Sequence, residues 1–280
     1  MEASSTAHFR LLEDIARELS GEVNFPTCLD ACLAVRNALR DPSVSLERLA
    51  QVIQIEPLIS SKMLSLANSV AYNPSGNPVT TLGKAVQRVG FNAVRTTSLA
   101  VAMEQMLRSR HMACFEAQTR QLWEHSLEVA SLARVLTRRL GRGNPDEALL
   151  AGLVHDIGLF YLLYRAAQYP ELRDDPDELR DLIQQWHHHI GQSLLFALGL
   201  PEDILSAIRD HDQATPPEQL RHLGEILTLA NLLAGGNFEW LPPADAAQRV
   251  KVCAALRQHY AELLADAQDD IHEICRALSG

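Results

Sequence analysis

Histidines and one aspartate occupy sequence positions where apolar side chains would be expected. The members of this set, each on or at the end of an apolar helical stripe, are His125, the pair His155-Asp156, His187 and His211. Residues three and four apart share one face of a helix, so these side chains should point toward the protein interior. A buried carboxylate is costly without a partner, and imidazole and carboxylate groups are common ligands of divalent metals. The set therefore predicts a metal site or a shared hydrogen-bond network.

A second interpretation of the same residues stays open. A single inward histidine is more often a hydrogen-bonded core residue than a metal ligand, and helix faces alone do not establish that the side chains converge. The protein would then be a helical interaction protein that binds no metal. In the run His187-His188-His189, only one of three consecutive helical positions can face the core, so we expect His188 and His189 to be peripheral.

The elements that must position these residues are helices. Apolar residues recur at spacings of three and four almost throughout, and no long stretch alternates with period two, which predicts an all-α, multi-helix protein. The longest predicted helix is Glu116–Leu140, and Gly141 should end it. The other predicted helices cover 9–20, 28–40, 45–54, 58–68, 81–90, 92–107, 145–157, 158–168, a segment around His187, 201–211, 220–234, 245–264 and 270–278. The segment 171–181 has six acidic residues and is predicted to be an exposed loop.

Composition and charge exclude several classes of protein. The chain has 280 residues, of which 47% are hydrophobic and 21% charged, as expected of a globular protein with a real core. Residues 1–115 contain 11 basic and 10 acidic side chains, whereas residues 116–280 contain 14 and 25. The net charge of −10 therefore belongs to the second half, and this asymmetry suggests two modules. Such a field repels phosphates, so we expect no direct nucleic-acid binding.

Cysteine usage and hydropathy indicate a cytoplasmic protein. The five cysteines are odd in number and scattered, unlike a disulfide framework, which favours a reducing compartment. The N-terminal residues lack the apolar core of a secretory signal. We expect no stretch to reach the ~18 apolar residues that span a bilayer, and therefore no membrane segment.

Several motifs resemble those of the HDOD family, regulatory relatives of the HD-domain metal-dependent phosphohydrolases. In the first half they are Phe25-Pro26-Thr27, the segment from Leu39 to Ala50, Leu64 to Ser69 and Gly90 to Arg95. In the second half they are Leu122 to Ser126, Ala151 to Gly158 and His187 to Gly191. The resemblance covers about residues 23–235 and implies an N-terminal helical subdomain packed on an HD-like helical core.

The resemblance also implies a ligand set and exposes two departures from it. The implied metal ligands are His125, His155, Asp156, His187 and His211, and the implied cofactor is a divalent metal such as Fe or Mn. Where catalytic HD enzymes have a closing aspartate, this chain has Asn231, and a neutral amide is a poorer ligand for a hard cation. Leu159 and Asp212-Gln213 differ from the cyclic-dinucleotide phosphodiesterase branch, which is therefore disfavoured.

The function implied by the resemblance is a bacterial signal-transduction module of the HDOD type, non-catalytic, whose HD-like cluster holds a metal or a ligand. Signalling proteins are the implied partners and a small nucleotide is a candidate ligand. The alternative is a metal-dependent phosphohydrolase acting on a nucleotide or phosphomonoester, in which Asp156 would be essential for turnover.

The predicted organisation has four parts. They are an N-terminal helix (1–22), an N-terminal helical subdomain (23–115), the HD-like core (116–235) and two C-terminal amphipathic helices (236–280). The last part lies outside the resemblance and is acidic.

Overall fold

The computed structural model describes residues 2–21, 29–209, 211–213, 215–235 and 243–279. These residues form helices and no strand, which confirms the all-α prediction. The helices are α1 (Glu2–Leu19), α2 (Asp30–Leu39), α3 (Leu46–Gln54), α4 (Pro57–Asn68), α5 (Leu82–Leu107), α6 (Glu116–Leu140), α7 (Pro145–Val154), α8 (Ile157–Ala166), α9 (Pro170–Arg173), α10 (Pro176–Ala197), α11 (Glu202–Arg209), α12 (Leu223–Ala234), α13 (Pro243–His259) and α14 (Ala261–Ser279). A short 3-10 helix, Arg110–Phe115, joins α5 to α6.

Local capping explains the helix ends that the sequence predicts well. The Ser45 side chain accepts a hydrogen bond from the amide of Arg48 at the start of α3. Pro57 occupies the first turn of α4, where its missing N–H is no loss. Gly141 adopts the left-handed conformation and ends α6 at the predicted residue.

Other predicted boundaries are wrong. The segment 171–181 is mostly helical, because Asp175 accepts from the amide of Glu178 and Pro176 starts α10. Acidic side chains are stabilised at the N-terminus of a helix, which is the positive end of its dipole. The acid-rich stretch is therefore the start of a helix and not a loop. By contrast, the predicted break between helices 81–90 and 92–107 is confirmed, because Gly90, with φ of 81° and ψ of 176°, interrupts the helical conformation within the range given as α5. The break in the C-terminal segment falls at Tyr260.

Two hydrophobic cores lie next to one another. The larger one is built mainly by α6, α7, α8, α10 and α12, and the smaller one lies among α2 to α5. Helix α14 reaches both, since Ile274 and Leu278 belong to the larger core and Ala277 to the smaller one. The four-part division remains a prediction. Its boundaries at 22/23 and 235/236, together with Phe25-Pro26-Thr27 and Cys28, fall outside the described residues.

Buried polar contacts attach the terminal helices to these cores. Glu18 of α1 accepts a hydrogen bond from the hydroxyl of Tyr161 and pairs with Arg165 at 2.7 Å. Lys62 of α4 lies 3.0 Å from a carboxylate oxygen of Glu104 and donates to the carbonyl of Leu278 at 2.5 Å. Charged groups taken out of water need such partners, so these contacts specify how α1 and α14 dock.

One segment among the described residues, Pro145–Ala166, is long and apolar enough to cross a membrane, which the sequence analysis missed. It comprises α7 and α8, and 89% of its apolar window is buried within the protein. Its hydrophobicity is therefore explained by its position in the larger core, directly around His155 and Asp156.

Candidate functional site

The corner between α7 and α8 positions the central pair of the site. His155 follows the last residue of α7, Asp156 precedes the first residue of α8, and both are buried. The Nδ1 of His155 lies 2.7 Å from the carbonyl oxygen of Gly152. A carbonyl can only accept, so Nδ1 carries the proton and Nε2 carries a lone pair. That Nε2 is 3.2 Å from Oδ2 of Asp156, without hydrogen-bond geometry.

His125 and His211 flank this pair. The ring of His125, on α6, is 5.3 Å from that of His155, and the ring of His211 is 4.9 Å from it on the other side. His211 lies just beyond α11, not inside a helix as predicted. Its Nδ1 donates to the carbonyl of Ile208 at 2.6 Å, and its Nε2 is 3.2 Å from Oδ1 of Asp156. Three predicted histidine ligands thus lie around the Asp156 carboxylate, which is itself a predicted ligand.

His187 belongs to an adjoining group. Its Nδ1 donates to the carbonyl of Ile183 at 2.6 Å, and its Nε2 is 3.4 Å from Oδ2 of Asp212. His188 is not peripheral as expected, because its Nδ1 lies 2.8 Å from Nε2 of His187 and its ring stacks on that of His211 at 5.0 Å. The Nε2 of His188 is 3.5 Å from Asp212.

We call His125, His155 and Asp156 the first cluster, and His187, His188 and Asp212 the second cluster. In each, the three candidate ligand atoms lie within 4.8 Å of one another. His211 bridges the two, since its Nε2 is also 3.6 Å from Oδ1 of Asp212. The first cluster is buried, and the second is half-buried.

The neighbours of Asn231 determine the orientation of its side-chain amide. One end of its amide is 3.0 Å from Nε2 of His125, and the other is 3.2 Å from the carbonyl of His211 and 3.4 Å from Oδ1 of Asp212. Because the carbonyl and the carboxylate only accept, the amide nitrogen must face them. The amide oxygen then accepts from Nε2 of His125. The Nδ1 of His125 consequently carries a lone pair, and it has no hydrogen-bond partner among the described residues.

Arg249 reaches the site from α13, a helix that the sequence analysis described only as amphipathic and acidic. Its Nη1 donates to the backbone carbonyl of Asp212 at 3.1 Å, and its Nη2 donates to Oδ1 of the same residue at 3.3 Å. The Arg249 side chain is buried. One donor bonds the backbone of Asp212 and the other its carboxylate, and the second of these is a charge-assisted hydrogen bond.

The two carboxylates are held in their charged form. Burial alone would raise the pKa of Asp156, but the His155 and His211 imidazoles hold that pKa well below its usual range. Burial would likewise raise the pKa of Asp212, and His211, His187 and Arg249 outweigh it and lower the pKa. Both groups therefore remain anionic at neutral pH.

The imidazoles respond in opposite directions. Burial, helped by the neighbouring His155, lowers the pKa of His125 to about 4. Burial and His187 lower the pKa of His188 to about 4. Burial also disfavours the charged form of His211, but the carboxylates of Asp212 and Asp156 outweigh it and raise its pKa to about 9. His211 can therefore carry a proton between two carboxylates at neutral pH.

The donor set fits a divalent cation. The Nδ1 protons of His155, His187 and His211 are committed to helix carbonyls, as is common for metal-binding histidines, so each ring in its neutral form presents an Nε2 lone pair toward carboxylate oxygens. Acceptors that face acceptors need a positive charge between them. A proton on His211 supplies part of it, and a metal bound at Asp156 would replace that proton. His125 and His155 each add a buried nitrogen without a hydrogen bond.

A model of the HDOD domain matches residues 25–214. The chain belongs to the HDOD family. The resemblance noted from the motifs is thereby confirmed, and Arg249 lies outside the matched HDOD residues. No curated protein matches the sequence significantly.

Three crystal structures show the same fold. A protein called "Putative metal-dependent phosphohydrolase" from Shewanella amazonensis SB2B is 24% identical with a TM-score of 0.71, covering 98% of this chain and 99% of that one. An HDOD domain protein with unknown function from Geobacter sulfurreducens is 20% identical with a TM-score of 0.54, covering 93% and 97%. A "Putative signal transduction protein" from Marinobacter aquaeolei VT8 is 18% identical with a TM-score of 0.55, covering 98% and 66%.

Sequence reasoning missed His188, Asp212 and Arg249. Asp212 follows His211 directly and was noted only as a departure from one enzyme branch, although a carboxylate beside an inward histidine is a ligand signal. His188 was excluded by helical periodicity, yet both His187 and His188 reach Asp212 from one edge of α10. No local pattern marks Arg249, because its partner lies 37 residues earlier in the chain.

Proposed function

We propose that this HDOD protein is a non-catalytic regulatory module of bacterial signal transduction that holds one divalent metal, Fe or Mn, in its buried first cluster with His211. The ligands in this proposal are His125, His155, Asp156 and His211, with His187 in the adjoining second cluster. Bound there, the metal would supply positive charge that ties α6, α7 and the segment after α11 together. Metal binding would thus support one arrangement of the helices.

The observation that carries the non-catalytic assignment is the orientation of Asn231. The resemblance places an aspartate ligand here in catalytic enzymes, but Asn231 directs its amide nitrogen at Asp212 and at the carbonyl of His211. A hydrogen-bond donor in this place cannot coordinate a metal through the same atom. Burial of His155, Asp156 and His211 also works against the open coordination position that a hydrolase needs for water and phosphate.

Signalling proteins are the partners we propose, with a small nucleotide as a candidate ligand and the cytoplasm as the location. The charge asymmetry between the two halves of the chain supports an interaction role, and the acidic second half argues against nucleic acid. The Marinobacter relative, whose printed name assigns it to signal transduction, is consistent with this proposal.

A metal-dependent phosphohydrolase is the second candidate. It is favoured by the intact assembly of His125, His155, Asp156 and His211, and by the printed name of the Shewanella relative. Asp156 would then be required for turnover, because it is the carboxylate of the first cluster.

Phosphate release distinguishes the two candidates. Wild-type protein and Asp156→Asn are assayed with Mn²⁺ on a panel of nucleotides and phosphomonoesters, together with Asp174→Asn, which removes an exposed carboxylate outside the site. We expect no release above the blank from any of them, and metal bound by the wild type and by Asp174→Asn but not by Asp156→Asn. Release that only Asp156→Asn loses would establish the hydrolase instead.

A further inference from the structure

Arg249 brings a permanent positive charge to the second cluster. A guanidinium does not lose its proton in proteins, and this one is buried with a relative exposure of 5%. Two of its contacts, to the backbone carbonyl and to Oδ1 of Asp212, orient it toward the second cluster. A buried arginine is stable only where its charge is matched, and Asp212 supplies that match.

The carboxylate of Asp212 is enclosed by polar groups on both oxygens. Oδ1 accepts from Arg249 and from the amide nitrogen of Asn231, while Oδ2 faces the Nε2 atoms of His187 and His188. A divalent metal in the second cluster would need these same oxygens. It would also stand within a few ångströms of the guanidinium, where two positive charges repel strongly in a half-buried environment.

The first cluster has its own carboxylate. The two oxygens of Asp156 face Nε2 of His155 and Nε2 of His211, and Asn231 contributes an oxygen that accepts from His125. Two neighbouring sets of ligand atoms are therefore present, and they differ in charge. The first cluster presents the Asp156 carboxylate to imidazole lone pairs. In the second cluster the charge of the Asp212 carboxylate is balanced by an arginine from α13.

We propose that Arg249 is the fixed counter-ion of the second cluster and thereby limits the site to one divalent metal, bound at the first cluster. This inference rests on the proposed metal binding of the first cluster. Arg249 acts through Asp212 and is a specificity-determining residue for metal number. It also gives the C-terminal helices, which lie beyond the matched HDOD residues, a direct effect on the site.

Metal counting tests the inference with the full-length protein. Wild type, Arg249→Met and Arg249→Lys are dialysed against excess Mn²⁺, and bound Mn per chain is measured by mass spectrometry and by the spin-coupled EPR signal of neighbouring Mn²⁺ ions. Lys251→Met is the matched control, since it removes an exposed cation from the same helix. We expect about one Mn in wild type, Arg249→Lys and Lys251→Met, and about two with a coupled signal in Arg249→Met, because the repulsion is gone.

The outcomes separate this inference from the proposed function. One Mn in both wild type and Arg249→Met overturns the role of Arg249 alone, and two in wild type does the same. No Mn in any protein overturns metal binding and the inference together.

Arg249→Gln provides a second variant if Arg249→Met does not fold, because the neutral amide removes the charge and keeps a hydrogen-bond donor that can face Asp212. We expect about two bound Mn per chain, with the coupled signal, in this variant as well. One bound Mn per chain in Arg249→Gln would overturn the inference.

Discussion

The close approach of α8 and α10 at Gly158 offers the most direct test of how the site is positioned. A Cβ on Gly158 would lie 1.9 Å from the carbonyl oxygen of His187, 2.7 Å from the amide nitrogen of Gly191 and 2.9 Å from its Cα. All three are backbone atoms, so no side-chain rotation can relieve the contact. Non-bonded carbon contacts are favourable near 3.5–4.0 Å, and Gly158→Ala must therefore separate the helices by more than about 1 Å.

The expected cost of Gly158→Ala lies at the upper end for overpacking, about 3 kcal/mol, because two helix backbones must move. For a chain of this size that corresponds to a fall of roughly 6–12 °C in the melting temperature. Thermal unfolding followed by circular dichroism measures it. Since the clash falls on the backbone of His187, we also expect the tryptic or hydrogen-exchange protection of α10 to decrease around that residue.

Gly191→Ala is the matched control across the same contact. Its Cβ would meet the amide nitrogen of Gly158 at 3.3 Å and its Cα at 3.4 Å, which a shift of a few tenths of an ångström accommodates. Alanine also favours the helix over glycine by up to ~1 kcal/mol, so this variant should melt within a few degrees of wild type. Equal melting temperatures for the two variants would refute the argument that close backbone packing at Gly158 positions α10.

Two further predictions concern buried charge. Lys62→Met should lower the free energy of unfolding, measured in urea, by about 3 kcal/mol, because it leaves Glu104 buried with one partner fewer. Lys84→Met, at an exposed position, is the control. A change below about 0.5 kcal/mol for Lys62→Met would contradict the prediction. Metal-free protein should be most stable near pH 6.5. Below it the unfolded chain protonates His125, whose folded pKa is about 4 through burial and a neighbouring imidazole, so stability falls between pH 6.5 and 4. Above it the stabilisation from His211 is lost, since the site carboxylates outweigh burial and raise its folded pKa to about 9. Melting temperatures in EDTA that rise steadily from pH 5 to 9 would contradict this.

The helices that the sequence predicted well are those whose ends are determined locally. The end of α6 depends on the left-handed conformation of Gly141, and the start of α3 on the Ser45 cap. Each device involves residues within one turn of helix, so the sequence alone contains the necessary information. The same holds for His125, His155 and His211 around Asp156, because each lies on or beside a strongly apolar stripe.

The features that the sequence did not predict have two causes, a local cap outweighed by composition and contacts between distant helices. The acid-rich start of α10 was predicted to be a loop from its many acidic residues. It is a helix because the Asp175 side chain caps it. The contact of Arg249 with Asp212 joins α13 to the segment after α11, and nothing in either segment alone indicates it. Helical periodicity also assigns one inward position per turn, which is why His188 was missed.

Asn231 and Asp212 are best understood together. An aspartate at position 231 would direct a carboxylate oxygen at the carbonyl of His211 and at Oδ1 of Asp212, where the amide nitrogen now stands at 3.2 and 3.4 Å. Two acceptor oxygens at such a short distance repel each other unless a cation lies between them. With Asp212 present and Arg249 as its partner, the amide at 231 is the group that satisfies its neighbours. The loss of the expected aspartate is therefore part of a rearranged charge distribution in which the second carboxylate stands at 212 and is neutralised from α13.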